Sequence, residues 1–232
     1  MRICHVRSLG RVPYQQAWDM QNQLAAQISS GELPDTLLLL EHPHTITFGR
    51  SGKAANLLWT EDQLRRGGVE VFWVDRGGDV TYHGPGQLVG YPLMQLNASN
   101  LVISAGTNTG SIPQVDYMAY LRQLEEVLIL ALSQFGISAG RLKGLTGVWV
   151  GQAKIAAIGV KVDAHGVTRH GFALNIAPDM SYWESIIGCG LVGYATTSMA
   201  GLLPSPPAMS AVRQAVISAF EAVFSRRCIV VT

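Results

Sequence analysis

Gly147-Val148-Trp149-Val150-Gly151-Gln152-Ala153-Lys154-Ile155-Ala156-Ala157-Ile158-Gly159-Val160-Lys161-Val162 is the stretch on which the fold turns. Its residues follow a period of two on both sides of Gly151-Gln152. That two-residue connection has glycine first, as a type II′ hairpin requires. Asp163-Ala164-His165-Gly166 then turns the chain into Val167–Ile176. The segment reads as a three-strand antiparallel meander.

Working outward, Tyr14, Trp18, Leu24, Ala25 and Ile28 recur at helical spacing, with Pro13 at the first turn and Gly31 as the stop. Thr36–Leu40 is a buried strand halted by Glu41-His42-Pro43, and Thr60-Glu61-Asp62-Gln63 is a capping box opening a short helix that ends at Gly67-Gly68. Strand Val69–Val74 follows. Asn97–Pro113 has a loop composition, and Tyr117, Leu121, Leu124, Leu128 and Leu132 mark a long amphipathic helix. Ser205-Pro206 announces a last helix with Val212, Val216, Phe220 and Val223 facing inward. Helices interleave with strands, yet the central strands are hairpin-linked. The expectation is an α+β fold around a mixed or antiparallel sheet, forming a single domain over residues 1–232.

At 232 residues, with 48% hydrophobic and 14% charged residues, the chain can bury a substantial core. A net charge of +1, from 17 basic and 16 acidic residues, argues against a nucleic-acid binder. No signal leader or membrane-length apolar run is present, so no membrane association is expected. Three widely spaced cysteines, Cys4, Cys189 and Cys228, exclude a disulfide framework and a CxxC metal knuckle. The setting expected is the reducing cytoplasm.

Arg76-Gly77-Gly78-Asp79-Val80-Thr81-Tyr82-His83-Gly84-Pro85-Gly86-Gln87-Leu88-Val89-Gly90-Tyr91 is the candidate binding segment. Five glycines and a proline exclude a helix and punctuate any strand. It reads as a tight loop with a bared backbone, its polar side chains held between flanking strands. A plain glycine-rich hairpin connection is the other reading. It is not a phosphate cradle, since neither a Gly-Lys-Ser/Thr ending nor Gly-x-Gly-x-x-Gly before a helix occurs.

Cys4 and Cys228 sit in apolar strand-like stretches and read as small buried residues. Cys189 lies between Gly188 and Gly190, where a substrate can come close and backbone N–H groups are free for an oxyanion. A cysteine nucleophile needs a base, and His83, His170 and Lys154 are the candidates. In a regular strand Lys154 shares a face with Ala156, Ile158, Val160 and Val162. Such a lysine is either desolvated, with a lowered pKa that suits a general base, or reaches past the strand end to water. His42-Pro43-His44 lacks further ligands at metal-like spacing, and no metal site is expected.

Together these motifs resemble the octanoyltransferases of lipoate biosynthesis. Carrying the resemblance are Arg76–Tyr91, Glu41-His42-Pro43 with Phe48-Gly49-Arg50-Ser51-Gly52-Lys53, Gly147–Val150, Lys154–Gly159, His170-Gly171-Phe172-Ala173-Leu174-Asn175 and Ile187-Gly188-Cys189-Gly190-Leu191. The resemblance implies an α/β sandwich around a mainly antiparallel sheet, like the biotin and lipoate protein ligase catalytic domains. It implies Cys189 as acyl-thioester nucleophile and Lys154 as proton shuttle. Acyl-substrate contacts are implied at Arg76, Gly77, Gly78, Asp79, Val80, Thr81, Tyr82, His83, Ala157, Ile158, Gly159, His170, Gly171 and Phe172. His83 is a candidate auxiliary acid or orienter. The implied partners are octanoyl-acyl carrier protein as donor, with lipoyl domains of 2-oxoacid dehydrogenases and the glycine cleavage H protein as acceptors. The enzyme would act as a monomer without cofactor. Gly188 departs from the proline the family often has, and the Asn97–Pro113 loop is longer than expected. Rival readings are an ATP-dependent ligase, an amidotransferase between lipoyl-dependent proteins, and a non-catalytic acyl- or carrier-binding protein on the same fold.

Overall fold

The computed structural model describes residues 2–96, 117–188 and 193–231. The Asn97–Pro113 loop and Cys189 therefore lie outside the described residues. Ten strands and five α-helices follow the order β1 (Arg2–Arg11), α1 (Tyr14–Ser29), β2 (Asp35–Glu41), β3 (Thr45–Phe48), α2 (Glu61–Arg66), β4 (Glu70–Trp73), β5 (Val80–His83), β6 (Gln87–Leu93), α3 (Tyr117–Ser133), β7 (Val148–Val150), β8 (Ala153–Val162), β9 (Thr168–Asn175), α4 (Met199–Leu202), α5 (Met209–Phe224) and β10 (Arg226–Val230) among the described residues. None of these helices is long and apolar enough to cross a membrane.

A seven-stranded mixed sheet runs β10-β1-β2-β6-β9-β8-β7. It is parallel across β10, β1 and β2 and antiparallel from there on. The β7–β8–β9 meander is as the sequence predicts, with Val150 opposite Ala153 and Gly151 at φ +58 closing the hairpin. Strand β2 shows why the sheet must be covered twice. Leu37 and Leu39 join the core beneath α3 and α5, while Leu38 and Leu40 join the core beneath α1. An all-leucine strand buries both faces only as the middle of a sandwich. Helix α3 supplies Leu124, Leu128 and Leu132, each 0% exposed, at helical spacing. Helix α2 carries the predicted capping box, with the Thr60 hydroxyl and the Gln63 side chain reciprocally bonded. Cys4 is buried and Cys228 half-buried, opposite each other on β1 and β10.

Three readings change. Val80–His83 is a strand, not loop, and pairs with Thr45–Phe48, a strand the sequence pattern did not reveal. With β4 these make a separate three-stranded sheet, order β4-β3-β5. Gly84-Pro85-Gly86 then carries the chain from this small sheet into β6 of the large one. Gly86 sits at φ +85, and a Cβ there would lie 2.3 Å from the Ala177 carbonyl oxygen, so only glycine fits the crossing. The last helix starts at Met209 rather than beside Ser205-Pro206, behind the short α4.

The third change concerns Lys154. Trp149 pairs with Lys154 but Val148 pairs with Ala156, so Ile155 is an extra residue in β8. Such a β-bulge reverses the alternation of faces. Ile155, Ala156, Ile158 and Val160 accordingly pack into the α3–α5 core. Lys154 joins the opposite face with Ala157 and Gly159 and leaves the Ala156–Val162 face on which a regular strand would put it.

Candidate active site

Small residues make the space. Ala157 pairs with Ala173 and Gly159 with Gly171 across β8 and β9, leaving a floor with nothing larger than a methyl group. Above it stands one face of the small sheet. Period-two alternation sends Val80 and Tyr82 into their own core with Ile46 and Phe48, and turns Thr81 and His83 toward the floor. The result is a cleft of about 180 Å³ between the two sheets. Tyr14 of α1 and Tyr91 of β6 wall one part of it, and Gly144, Leu145 and Thr146 another.

Of the residues singled out from sequence, Arg76, Gly78, Asp79, Thr81, His83, Ala157, Ile158, Gly159, His170, Gly171, Phe172 and Lys154 line this one cleft. Gly77, Val80 and Tyr82 do not line it. Gly77 instead donates its N–H to the Val160 carbonyl at 2.9 Å, tying the loop to β8. The sequence marks Tyr14 only as a helix residue and does not single out the Gly144–Thr146 loop, because each reaches the cleft from a segment distant in sequence; Tyr91 and Ala173 end or extend recognised motifs without being named as contacts. Asp75, one residue before the recognised run, escaped sequence reasoning too.

Arg76 is 7% exposed and its guanidinium spans β3, donating to the Thr47 carbonyl at 2.5 Å and the Thr47 hydroxyl at 2.9 Å. The Thr47 hydroxyl in turn donates to Nε2 of His83 at 3.3 Å. Nδ1–H of His83 donates to Oε1 of Gln87 at 2.9 Å, while the Gln87 amide donates to the Tyr82 carbonyl and to Asn175. These bonds fix the neutral tautomer, and burial pushes the His83 pKa well below the ordinary histidine value. Both ring nitrogens of His83 are thus engaged inside the protein. Asp79 accepts from the Lys53 N–H at 3.1 Å and from the Asn56 side-chain amide at 2.5 Å, so its charge serves the loop.

His170 is the strained residue of the site. It holds φ +57, a left-handed conformation that costs a non-glycine residue about 1–3 kcal/mol. Its backbone N–H donates to Gln21 of α1 at 2.7 Å, and Nε2–H donates to Asp75 at 2.7 Å. Asp75 also takes Lys161 at 2.6 Å and Arg169 at 3.0 Å. The His170 hydrogen bond, followed by Lys161 and Arg169, holds the Asp75 carboxyl below the usual carboxylate range. Burial, against the opposing pull of Asp75, lowers the His170 pKa below the ordinary histidine value.

His42 and His44 part company. His42 Nδ1–H donates to the Val12 carbonyl and Nε2 accepts from Tyr91, both at 2.7 Å; His44 stacks on Tyr182 at 4.0 Å. Among the described residues no group of three His, Cys, Asp or Glu side chains could hold a metal ion.

Lys154 is 7% exposed, with its Nζ 4.8 Å from the centre of the Trp149 ring. Its backbone is fixed by Ala195 and Thr197, each bonded at 2.9 Å. Gly147, at φ +116, lies against its stem; a Cβ there would be 3.5 Å from the Lys154 Cε. Beyond this cleft, Lys154 also lines a second, smaller cavity with Trp149, Trp183, Gly188 and Tyr194. Gly188 is the chain neighbour of Cys189.

The lipoyl protein ligase A/B catalytic-domain family matches residues 13–221. The octanoyltransferase of Solibacter usitatus is 50% identical over 202 residues, covering 87% of this chain and 84% of that protein. That of Chloroflexus aggregans is 46% identical over 229 residues, covering 98% and 97%. In three dimensions the chain resembles a lipoate-protein ligase A bound with ATP, with a TM-score of 0.69, 15% identity and coverage of 99% and 90%. It also resembles the bipartite lipoate protein ligase of an archaeal lipoylation system from Thermoplasma acidophilum, with a TM-score of 0.69, 15% identity and coverage of 100% and 88%. At that identity the ligase structures speak for the fold alone. The matched length, the sheet order and the identity to those relatives converge: this chain belongs to the lipoyl protein ligase A/B family and, within it, to the octanoyltransferases, which are acyltransferases.

Proposed function

We propose that the chain moves an octanoyl group from the thioester of acyl carrier protein to the ε-amine of a lysine on lipoyl domains, through a thioester on Cys189 with Lys154 as proton shuttle. The carrying observation is the position of Lys154, buried at the meeting of an apolar cleft and a cavity lined by Gly188. An apolar cavity of about 150 Å³ takes up benzene; a cleft of about 180 Å³ that opens outward suits a medium-length acyl chain.

In the reading we favour, Lys154 in its neutral form takes the Cys189 proton, and the thiolate attacks the donor carbonyl. The tetrahedral oxyanion needs donors, for which backbone N–H groups near Gly188 and the Lys154 ammonium are the candidates. Collapse expels the carrier thiolate, which recovers the proton from Lys154. The acceptor amine then attacks the acyl-enzyme, and Lys154 takes its proton. A thioester is already activated toward amide formation, so ATP has no step to drive. Arg76, Thr81 and His83 form one wall along the chain, with Ala157, Gly159 and Gly171 beneath it.

The test is intact mass after mixing the protein with octanoyl-acyl carrier protein in the absence of ATP. A hydroxylamine-labile adduct mapped to Cys189, lost in Cys189→Ser, is the expected result. Transfer that requires ATP, or an active preparation with no adduct, overturns the reading.

A further inference from the structure

Lys154 lines two cavities, and the transfer reading above uses only the larger for the acyl chain. The second cavity, lined by Trp149, Lys154, Trp183, Gly188 and Tyr194, shares Trp183, Gly188 and Tyr194 with an outer groove of about 230 Å³ that adds Glu184 and Ile186. Its character is unlike that of the acyl cleft. Tyr194 is 43% exposed and stands edge-on to Trp149 at 5.4 Å, so an exposed ring touches the buried indole, and the second cavity, which joins both rings to Lys154, has about 10 Å³, room for one water-sized group such as an amine nitrogen. Glu184 is exposed beside it, the one acid among the described residues lining this groove. Trp149 already faces one amine nitrogen, Nζ of Lys154 at 4.8 Å. Aromatic faces attract ammonium groups, and the four-carbon stem of a lysine packs on apolar surface. An exposed carboxylate at the mouth favours a cation arriving from water.

We propose that this groove, formed by Trp183, Glu184 and Tyr194 and ending at Trp149, is the entry path for the acceptor, a primary amine on a lysine stem. The inference rests on the transfer reading above. It assigns the two substrates to the two different cavities that Lys154 lines. The chemistry balances. The incoming ammonium sheds one proton to water, and the neutral nitrogen bonds to the acyl carbon. The carbon–sulfur bond breaks with its electron pair on sulfur. The second amine proton passes through Lys154 to the Cys189 thiolate, giving an amide and a free thiol.

The two half-reactions separate the groove from the cleft. Acyl-enzyme is formed with octanoyl-acyl carrier protein, desalted, and then offered either a lipoyl domain bearing one target lysine or Nα-acetyl-lysine amide. Tyr194→Ala and Glu184→Gln are each expected to slow aminolysis about tenfold, with acylation changed by less than about twofold. Hydrolysis of the same acyl-enzyme by water serves as the internal control and should not fall, because water needs no aromatic path. Aminolysis at the wild-type rate in both variants overturns the assignment, as does an equal fall in acylation, aminolysis and hydrolysis. If the wild-type protein forms no acyl-enzyme at all, the transfer reading itself fails, a result distinct from either.

Discussion

Replacing Asp75 by alanine should be costly in a way that replacement by asparagine is not. Asp75 is one-third exposed, yet the ring it holds is not: His170 has 1% of its side chain accessible. In Asp75→Ala the Nε2–H of that ring loses its acceptor at 2.7 Å. A buried donor left without a partner costs about 1–3 kcal/mol. The same bond helps to hold His170 at φ +57, so the strain stored there is no longer opposed by a fixed ring. The alanine variant is therefore expected to lose about 2–3 kcal/mol. Asp75→Asn keeps an oxygen facing Nε2–H and loses only the charge seen by Lys161 and Arg169, which are 31% and 12% exposed. Pairs of that kind contribute about 0.2–1 kcal/mol each, and the asparagine variant should lose about 1 kcal/mol. For a chain of 232 residues each kcal/mol corresponds to about 2–4 °C in Tm. Urea unfolding at pH 7 is the assay, with the midpoint moving and the slope unchanged. Equal destabilisation by the two substitutions would refute the argument, because it would mean that charge rather than the histidine hydrogen bond matters.

Two further outcomes follow from the cleft and its histidines. Ala157→Leu fills the floor opposite Ala173 and should move the acyl preference toward chains shorter than eight carbons, read as kcat/KM across a series of acyl thioesters; an unchanged profile would remove Ala157 from the acyl path. His42 is buried neutral, its pKa lowered by desolvation to about 4 from 6.5. A histidine whose folded pKa is depressed contributes stability above its unfolded pKa and loses it as pH falls. Stability should therefore drop by about 3 kcal/mol between pH 6.5 and pH 4 from this residue alone, with the lowered His83 and His170 acting in the same direction. Denaturant midpoints across that range in wild type and Tyr91→Phe check it, since the variant removes the Tyr91 hydroxyl donor to His42 and should steepen no part of the neutral plateau.

Much of the architecture is written in short-range pattern. The Gly151-Gln152 hairpin, the Thr60–Gln63 capping box, the leucine strand and the stripe on α3 are each decided by residues within one or two turns of one another, so the sequence alone determined them. Part of the cleft was legible as well, because a glycine-rich run that carries Arg76, Thr81 and His83 between two apolar stretches reads as a binding loop, and those side chains do line it. What tertiary structure decided depends on partners far along the chain. Thr45–Phe48 is a strand because Val80–His83 and Glu70–Trp73 pair with it, and nothing in four residues announces that. The Asp75 hub exists because β8 and β9 bring Lys161, Arg169 and His170 to one point. The face on which Lys154 lies is the sharpest case. Strict alternation along β8 sends it toward the α3–α5 core, and only the register with β7, where Ile155 is the residue too many, turns it into the cleft. A bulge belongs to a pair of strands, so the sequence of one of them cannot contain it.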